Sequence, residues 1–236
     1  MKVLAIESSS MVASVAIVSE DVLLAEYTVN HKKTHSQTLL SMVDEIVTML
    51  ELDLTDIDAI AVSGGPGSFT GLRIGSSTGK GLGLALDKPM IHIPTMDAMA
   101  YNFAGTDRLI CPMMDARRRQ VYYGIYESNQ ELLVVDEQNL NIIDDVVARI
   151  NELGREVIFL GDGVPVNEEY IRENVKVPYI IAPAHLNRNK ASSVGALAVE
   201  YFKAGKVEHA REHLPNYLRA SQAERELAEK MAGKEG

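Results

Sequence analysis

The chain has 236 residues, 46% of them apolar and 24% charged, enough for one large core or two small ones and ordinary for a soluble globular protein. A single cysteine, Cys111, excludes an internal disulfide and suits a reducing cytoplasm, and no apolar run reaches the length a membrane span needs. A net charge of −10 argues against a chain that grips nucleic acid unaided, since phosphate contacts need a basic face.

The N-terminus carries a short apolar run closed at once by Glu7, which reads as a first strand over 3–7 and not as a signal peptide. Short β-rich runs at 13–18 and 22–29 follow, the first set off by a polar turn at 8–10. No helix fits between the three, so they predict an antiparallel meander. A strongly helical pattern spans 34–50. A buried strand at 57–62 leads into the loop GGPGSFT, a helix over 70–86, a strand at 90–93 and a helix from Thr95. The order then recurs more loosely. Strands at 109–114, 121–126 and 132–135 precede a helix at 143–153, a strand at 157–160, a helix at 167–174, a strand at 179–181 and a helix at 192–203. The triplet Arg117, Arg118 and Arg119 reads as a solvated turn between two strands. A βββαβα unit occurring twice is the architecture of the actin/Hsp70-like (ASKHA) α/β superfold. It predicts an N-terminal lobe over 1–106, a hinge near 105–108, a C-terminal lobe over 107–219 and a charged tail over 220–236 that is frayed or docked on a partner.

The strongest local signal is the strand-to-helix glycine loop. Its backbone N–H groups could cradle an anion, which makes Gly64, Gly65, Gly67 and Ser68, with Glu7 at the end of the first strand, a candidate anion or nucleotide loop. The Lys-Ser/Thr that closes a Walker A loop is missing, and a tight turn with Ser68 or Thr70 as helix cap is equally compatible. The next helix carries Gly71, Gly75, Gly79 and Gly83 at every fourth position. Each glycine costs a helix about 1 kcal/mol against alanine, so close packing along that face must compensate. The neighbour is either the chain's own sheet and first helix or another protein. The first helix has more apolar surface than one face needs: Leu39, Val43, Ile46 and Leu50 form one stripe, Leu40 and Val47 a second, and Met42 and Met49 widen the arc. That surplus favours a partner interface made by His35, Leu39, Val43 and Ile46 with Thr70, Gly71, Arg73, Ile74, Gly75, Thr78, Gly79 and Leu82. The pairs His31/His35 and His209/His213 have four-residue spacing, and the second matches H-x-x-E-H; both read as solvated surface histidines rather than zinc ligands.

LAIESSSMVASVAI, HSQTLLSMVDEI, GGPGSFTGLRIGSSTGKGLGLAL, IPTMDAMA, MDARRRQVYYGIY, GDG and PNYLR, in this order and spacing, resemble the TsaB (YeaZ) family over nearly the whole chain to about Arg219. The resemblance implies a non-catalytic relative of TsaD, the enzyme that threonylcarbamoylates N6 of adenosine 37 in tRNA. TsaD-like enzymes hold their metal with an H-x-E-G-H pair; the corresponding residues here are Pro94, Thr95, Met96, Asp97 and Ala98, without histidine. The resemblance therefore implies no catalytic residue, metal or cofactor in this chain, with ATP and a metal used by the complex through its partners. The implied partners are a TsaD-like catalytic subunit and a TsaE-like ATPase, with tRNA reached only indirectly, a homodimer when the chain is alone, and no membrane. An independent metal- or nucleotide-dependent enzyme, a glycoprotease-like hydrolase or a kinase, is the alternative.

Overall fold

A computed structural model describes residues 1–31, 35–129 and 131–219; the charged tail expected over 220–236 lies outside the described residues. The first sheet begins with the expected meander, β1 (Lys2–Glu7), β2 (Val12–Ser19) and β3 (Leu23–Asn30). Strand β4 (Ala59–Gly65) then joins β1 in parallel and β5 (Met90–Pro94) joins β4, giving the order β3-β2-β1-β4-β5. The second sheet repeats this wiring with β6 (Thr106–Asp115), β7 (Gln120–Ser128), β8 (Leu132–Ile142), β9 (Val157–Leu160) and β10 (Tyr179–Ile181), in the order β10-β9-β6-β7-β8. Helices fall at matching places in the two units. They are α1 (His35–Met49) and α2 (Phe69–Leu86), the short α3 (Thr95–Ala100) after β5, then α4 (Ile143–Leu153), α5 (Gly163–Asn174) and α6 (Ala191–Lys203). The expected duplicated lobes are present.

Alternation along the strands gives each sheet two apolar faces. On one face of the first sheet, Leu4, Ile6, Val15, Ile17, Ile60 and Val62 meet Leu39, Met42, Val43 and Ile46 of α1. The other face is built from small residues, Ala5, Ala16, Ala59 and Ala61, and is covered by Val194, Leu197 and Ala198 of α6. Gly195 lets α6 come close, since a Cβ there would lie 2.6 Å from Val18 Cγ2. So α6, though it falls within 107–219 in sequence, packs on the first sheet. Helix α3 makes the opposite link: its Met96, Met99 and Ala100 pack against Ile110, Met114, Tyr126 and Leu160 of the second sheet.

Three details differ from the sequence expectation. Residues 54–56 form a short 3-10 turn, so β4 starts at Ala59 rather than at 57. Strand β8 runs to Ile142 instead of stopping at 135. Helix α5 starts at Gly163, with Pro165 in its first turn, where a missing N–H removes no helical bond. The solvated turn expected at Arg117, Arg118 and Arg119 is present, with φ of 63°, 55° and 61°, three left-handed residues in a row, steadied by an Arg119–Asp144 ion pair at 2.8 Å.

Candidate functional site

The glycine loop connects β4 to α2, and Ser68 caps the helix, its hydroxyl accepting from Gly71 N at 3.3 Å. The cradle expected from Gly64, Gly65, Gly67 and Ser68 is filled by the chain itself. A Cβ on Gly64 would fall 2.0 Å from the His92 ring, on Gly65 2.2 Å from the Asn216 carbonyl oxygen, and on Gly67 2.3 Å from the Ser9 carbonyl oxygen. That same Ser9 oxygen accepts from Ser68 N at 2.6 Å. Gly65 and Gly67 thus admit protein backbone, and Gly64 the His92 ring, where an anion was expected.

Glu7 is likewise closed off. One carboxylate oxygen accepts from Ser9 N at 2.6 Å and from Ser9 Oγ at 2.5 Å, the other accepts from Ser63 Oγ, and the residue is 1% exposed. Burial pushes its carboxyl above the ordinary 4.5, opposed by the hydrogen bonds from Ser63 and Ser9. Asp97 and Asp162 are shifted the same way, again first by burial. A raised folded-state pKa means that the native chain keeps a proton the unfolded chain has lost, so these groups make stability fall as pH rises from their ordinary values, 4.5 for Glu7 and 3.8 for the two Asp residues, through their folded values. Glu7→Gln, which keeps a hydrogen-bonding side chain without the charge, is expected to flatten this decline. Urea midpoints from pH 4.5 to 8 check it, and a Glu7→Gln profile parallel to wild type would refute it.

The expected partner surface splits in two. Leu39, Val43 and Ile46 point into the core. Gly71 and Gly75 face the chain's own turn after β1, with Cβ positions 2.1 Å from the Ser8 carbonyl oxygen and 2.2 Å from Ser8 Oγ. Gly79 faces Val62 Cγ1 at 2.7 Å, and Gly83 faces Ala210 Cβ at 2.9 Å. The glycine stripe therefore serves the intramolecular contact, and Leu39, Val43, Ile46, Gly71, Gly75 and Gly79 leave the interface assignment. His35 is half-buried, its Nε2 2.8 Å from the Ser10 carbonyl oxygen. What faces outward is Thr70 and Arg73; Ile74, Thr78 and Leu82 are half-exposed, Ile74 and Leu82 packing in part against the core, and on α1 Leu40 is 57% exposed. Arg73 lies over the Phe69 ring at 4.1 Å and reaches the Tyr217 hydroxyl at 3.4 Å, while Phe69 and Tyr217 stack at 4.7 Å.

Tyr217 belongs to a strap, residues 207–217, that closes over α2 and the edge of β5. Met90 and Glu208 exchange two backbone hydrogen bonds at 2.9 Å, Lys80 Nζ donates to the Arg211 and His213 carbonyls at 3.0 Å, and Asn216 N donates to Gly64 O at 2.6 Å. The His209/His213 pair does not converge: His209 is exposed and accepts from Arg211 N, whereas His213 turns inward. His31 is also exposed and precedes α1. The chain brings His213 instead to Glu208, Nδ1 to Oε1 at 2.6 Å, and to His92 of β5, ring centroids 5.6 Å apart. Sequence reading missed His92 and Glu208. The available signal was a histidine inside the apolar run Met90-Ile91-His92-Ile93, which needs a polar partner to be buried there. At the start of α3, Asp97 accepts from Tyr126 at 2.8 Å and from Tyr201 at 3.4 Å.

Comparison with known proteins gives a consistent result. The family described as "TsaD: tRNA N6-adenosine threonylcarbamoyltransferase" matches residues 22–227. The chain is 33% identical over 228 residues, 95% of its length and 96% of the relative's, to the tRNA threonylcarbamoyladenosine biosynthesis protein TsaB of Bacillus subtilis strain 168. It is 30% identical over 238 residues, 96% and 98% of the two chains, to TsaB of Escherichia coli K12. The solved structure of YeaZ from Pseudomonas aeruginosa is similar with a TM-score of 0.75 at 26% identity, over 92% of this chain and 99% of that one. A ROK hexokinase from Thermus thermophilus, at a TM-score of 0.50 and 11% identity over 87% and 100% of the chains, shares the fold alone.

Proposed function

We infer the function from one premise: the chain belongs to the TsaB (YeaZ) family of tRNA threonylcarbamoyladenosine biosynthesis proteins, relatives of TsaD. Within that modification we propose that it is a non-catalytic cytoplasmic subunit, which holds a TsaD-like transferase and leaves chemistry to it. The observation that carries this reading is the outer side of α1 and α2, where Leu40 is exposed and Ile74 and Leu82, packed in part against the core, keep half-exposed apolar surface among Thr70, Arg73 and Thr78. The filled glycine loop and the saturated Glu7 speak against the alternative of an independent kinase or hydrolase. Where the resemblance to TsaD implies an H-x-E-G-H metal pair, Pro94, Thr95, Met96, Asp97 and Ala98 stand instead, without histidine. ATP, metal and a TsaE-like ATPase then enter through the assembled complex. The net charge of −10 leaves tRNA to be gripped by the partners. Without a partner, the same face pairs two copies about a two-fold axis.

Pull-down of a TsaD-like protein tests the docking face. Gly81 has open space at its Cβ position and lies on the outward side of α2, so Gly81→Trp adds bulk without disturbing the core. Leu40→Asp places a charge in the exposed patch. Each is expected to weaken binding by about tenfold or more while circular dichroism stays that of wild type. Wild-type affinity in both folded variants would place the interface elsewhere.

A further inference from the structure

His92, Glu208 and His213 come from β5 and from two points on the strap, yet each offers a ligand atom within 4.8 Å of the others. Two ligands about 2.1 Å from one ion can stand at most about 4.2 Å apart, so small side-chain rotations close this set around a cation. The backbone beneath is already held in place, because Met90 and Glu208 bridge β5 to the strap. His213 provides a second, independent indication. Its side chain is fully buried, Nδ1 faces Glu208, and Nε2 has no hydrogen-bond partner among the described residues. A buried imidazole nitrogen with nothing to bond is costly, and a ligand would relieve it.

We propose that His92, Glu208 and His213 bind one divalent cation of the zinc class, with a fourth position open to solvent on the half-exposed Glu208 side. Two imidazoles and a carboxylate select zinc-like ions over magnesium or calcium, which prefer all-oxygen sites. The site departs from the sequence reading, which assigned this chain no metal and paired His213 with His209. It is independent of the partner-docking face. It would fasten the strap to β5 and so steady the Phe69, Arg73 and Tyr217 cluster at the start of α2.

The test uses the full chain, stripped with chelator and then dialysed against zinc chloride. Metal analysis is expected to give one zinc per chain, and thermal melts should shift upward with zinc and not with magnesium. Cobalt in place of zinc is expected to give the intense visible bands of a four-coordinate site. His92→Gln and Glu208→Gln, close in shape to the originals, should lose the bound zinc and the melting shift; His209→Ala should keep both. Wild-type protein that takes up no zinc overturns the proposal. So does zinc retained at one equivalent by His92→Gln and Glu208→Gln, which would locate the ion at other ligands.

Discussion

Gly71→Ala is expected to destabilise the chain by about 3 kcal/mol, while Gly81→Ala on the same helix is expected to stabilise it by about 0.5–1 kcal/mol. The two glycines share a helix and a neighbourhood in sequence, and differ in what stands in front of them. A methyl on Gly71 would lie 2.1 Å from the Ser8 carbonyl oxygen, a backbone atom that cannot swing aside. The turn at Ser8 is itself held, since Ser8 Oγ donates to Gly71 O at 2.9 Å and the next oxygen, that of Ser9, accepts from Ser68. Either α2 lifts off the sheet or the turn deforms. Gly81 meets nothing within 4 Å, so alanine there only removes backbone freedom from the unfolded chain. Urea titrations of the two variants beside wild type measure the contrast. Equal stabilities would show that the stripe is not packed against the β1 turn.

Val43→Asp is expected to abolish folding at neutral pH, at a cost of about 4 kcal/mol or more, with partial recovery in acid. Val43 is buried among Leu39, Met42 and Ile46 against the sheet, so a carboxylate there would lose its water to an apolar surrounding. The native state can accept this side chain only as the neutral acid, so its folded pKa rises above the unfolded value. Stability lost at neutral pH therefore returns as pH falls through that raised value. Leu40→Asp, three residues earlier and turned to solvent, should fold at all these pH values. Circular dichroism at pH 7 and at pH 4 on the two variants separates them. A Val43→Asp chain folded at pH 7 would mean that α1 presents a different face.

The element order was legible because hydrophobic period and turn chemistry agree nearly everywhere. The meander, the wiring of both sheets and the helix after the glycine loop follow from those local signals. What stayed hidden depends on what lies opposite a residue. Glycines every fourth position announced a close neighbour, but only the fold identifies it as Ser8, Val62 and Ala210 of the same chain. The apolar arc of α1 looked too wide for one face. Most of it is core, with Leu40 and Met49 left outside, at 57% and 84% exposure. Strand β8 was read short because its second half, Asp136-Glu137-Gln138-Asn139, has loop composition. Those polar residues find long-range partners: Asp136 accepts from Arg149 at 2.9 Å, and Gln138 bonds Gly65 O and Met96 N. The histidine cluster joins a strand to a segment far along the chain, a proximity that no spacing rule reports.

The placement of α6 has a consequence for synthesis. Its covering residues are the last large apolar group of the first lobe to leave the ribosome, roughly 100 residues after β5, an interval of about 5–20 s at ordinary elongation rates. Through that time α1 covers one face of the nascent sheet, while the other has only Ala98 of the short α3 to begin its cover. The N-terminal half therefore cannot mature in the order in which it is made. It must wait, half-clad, until α6 is made to cover that face.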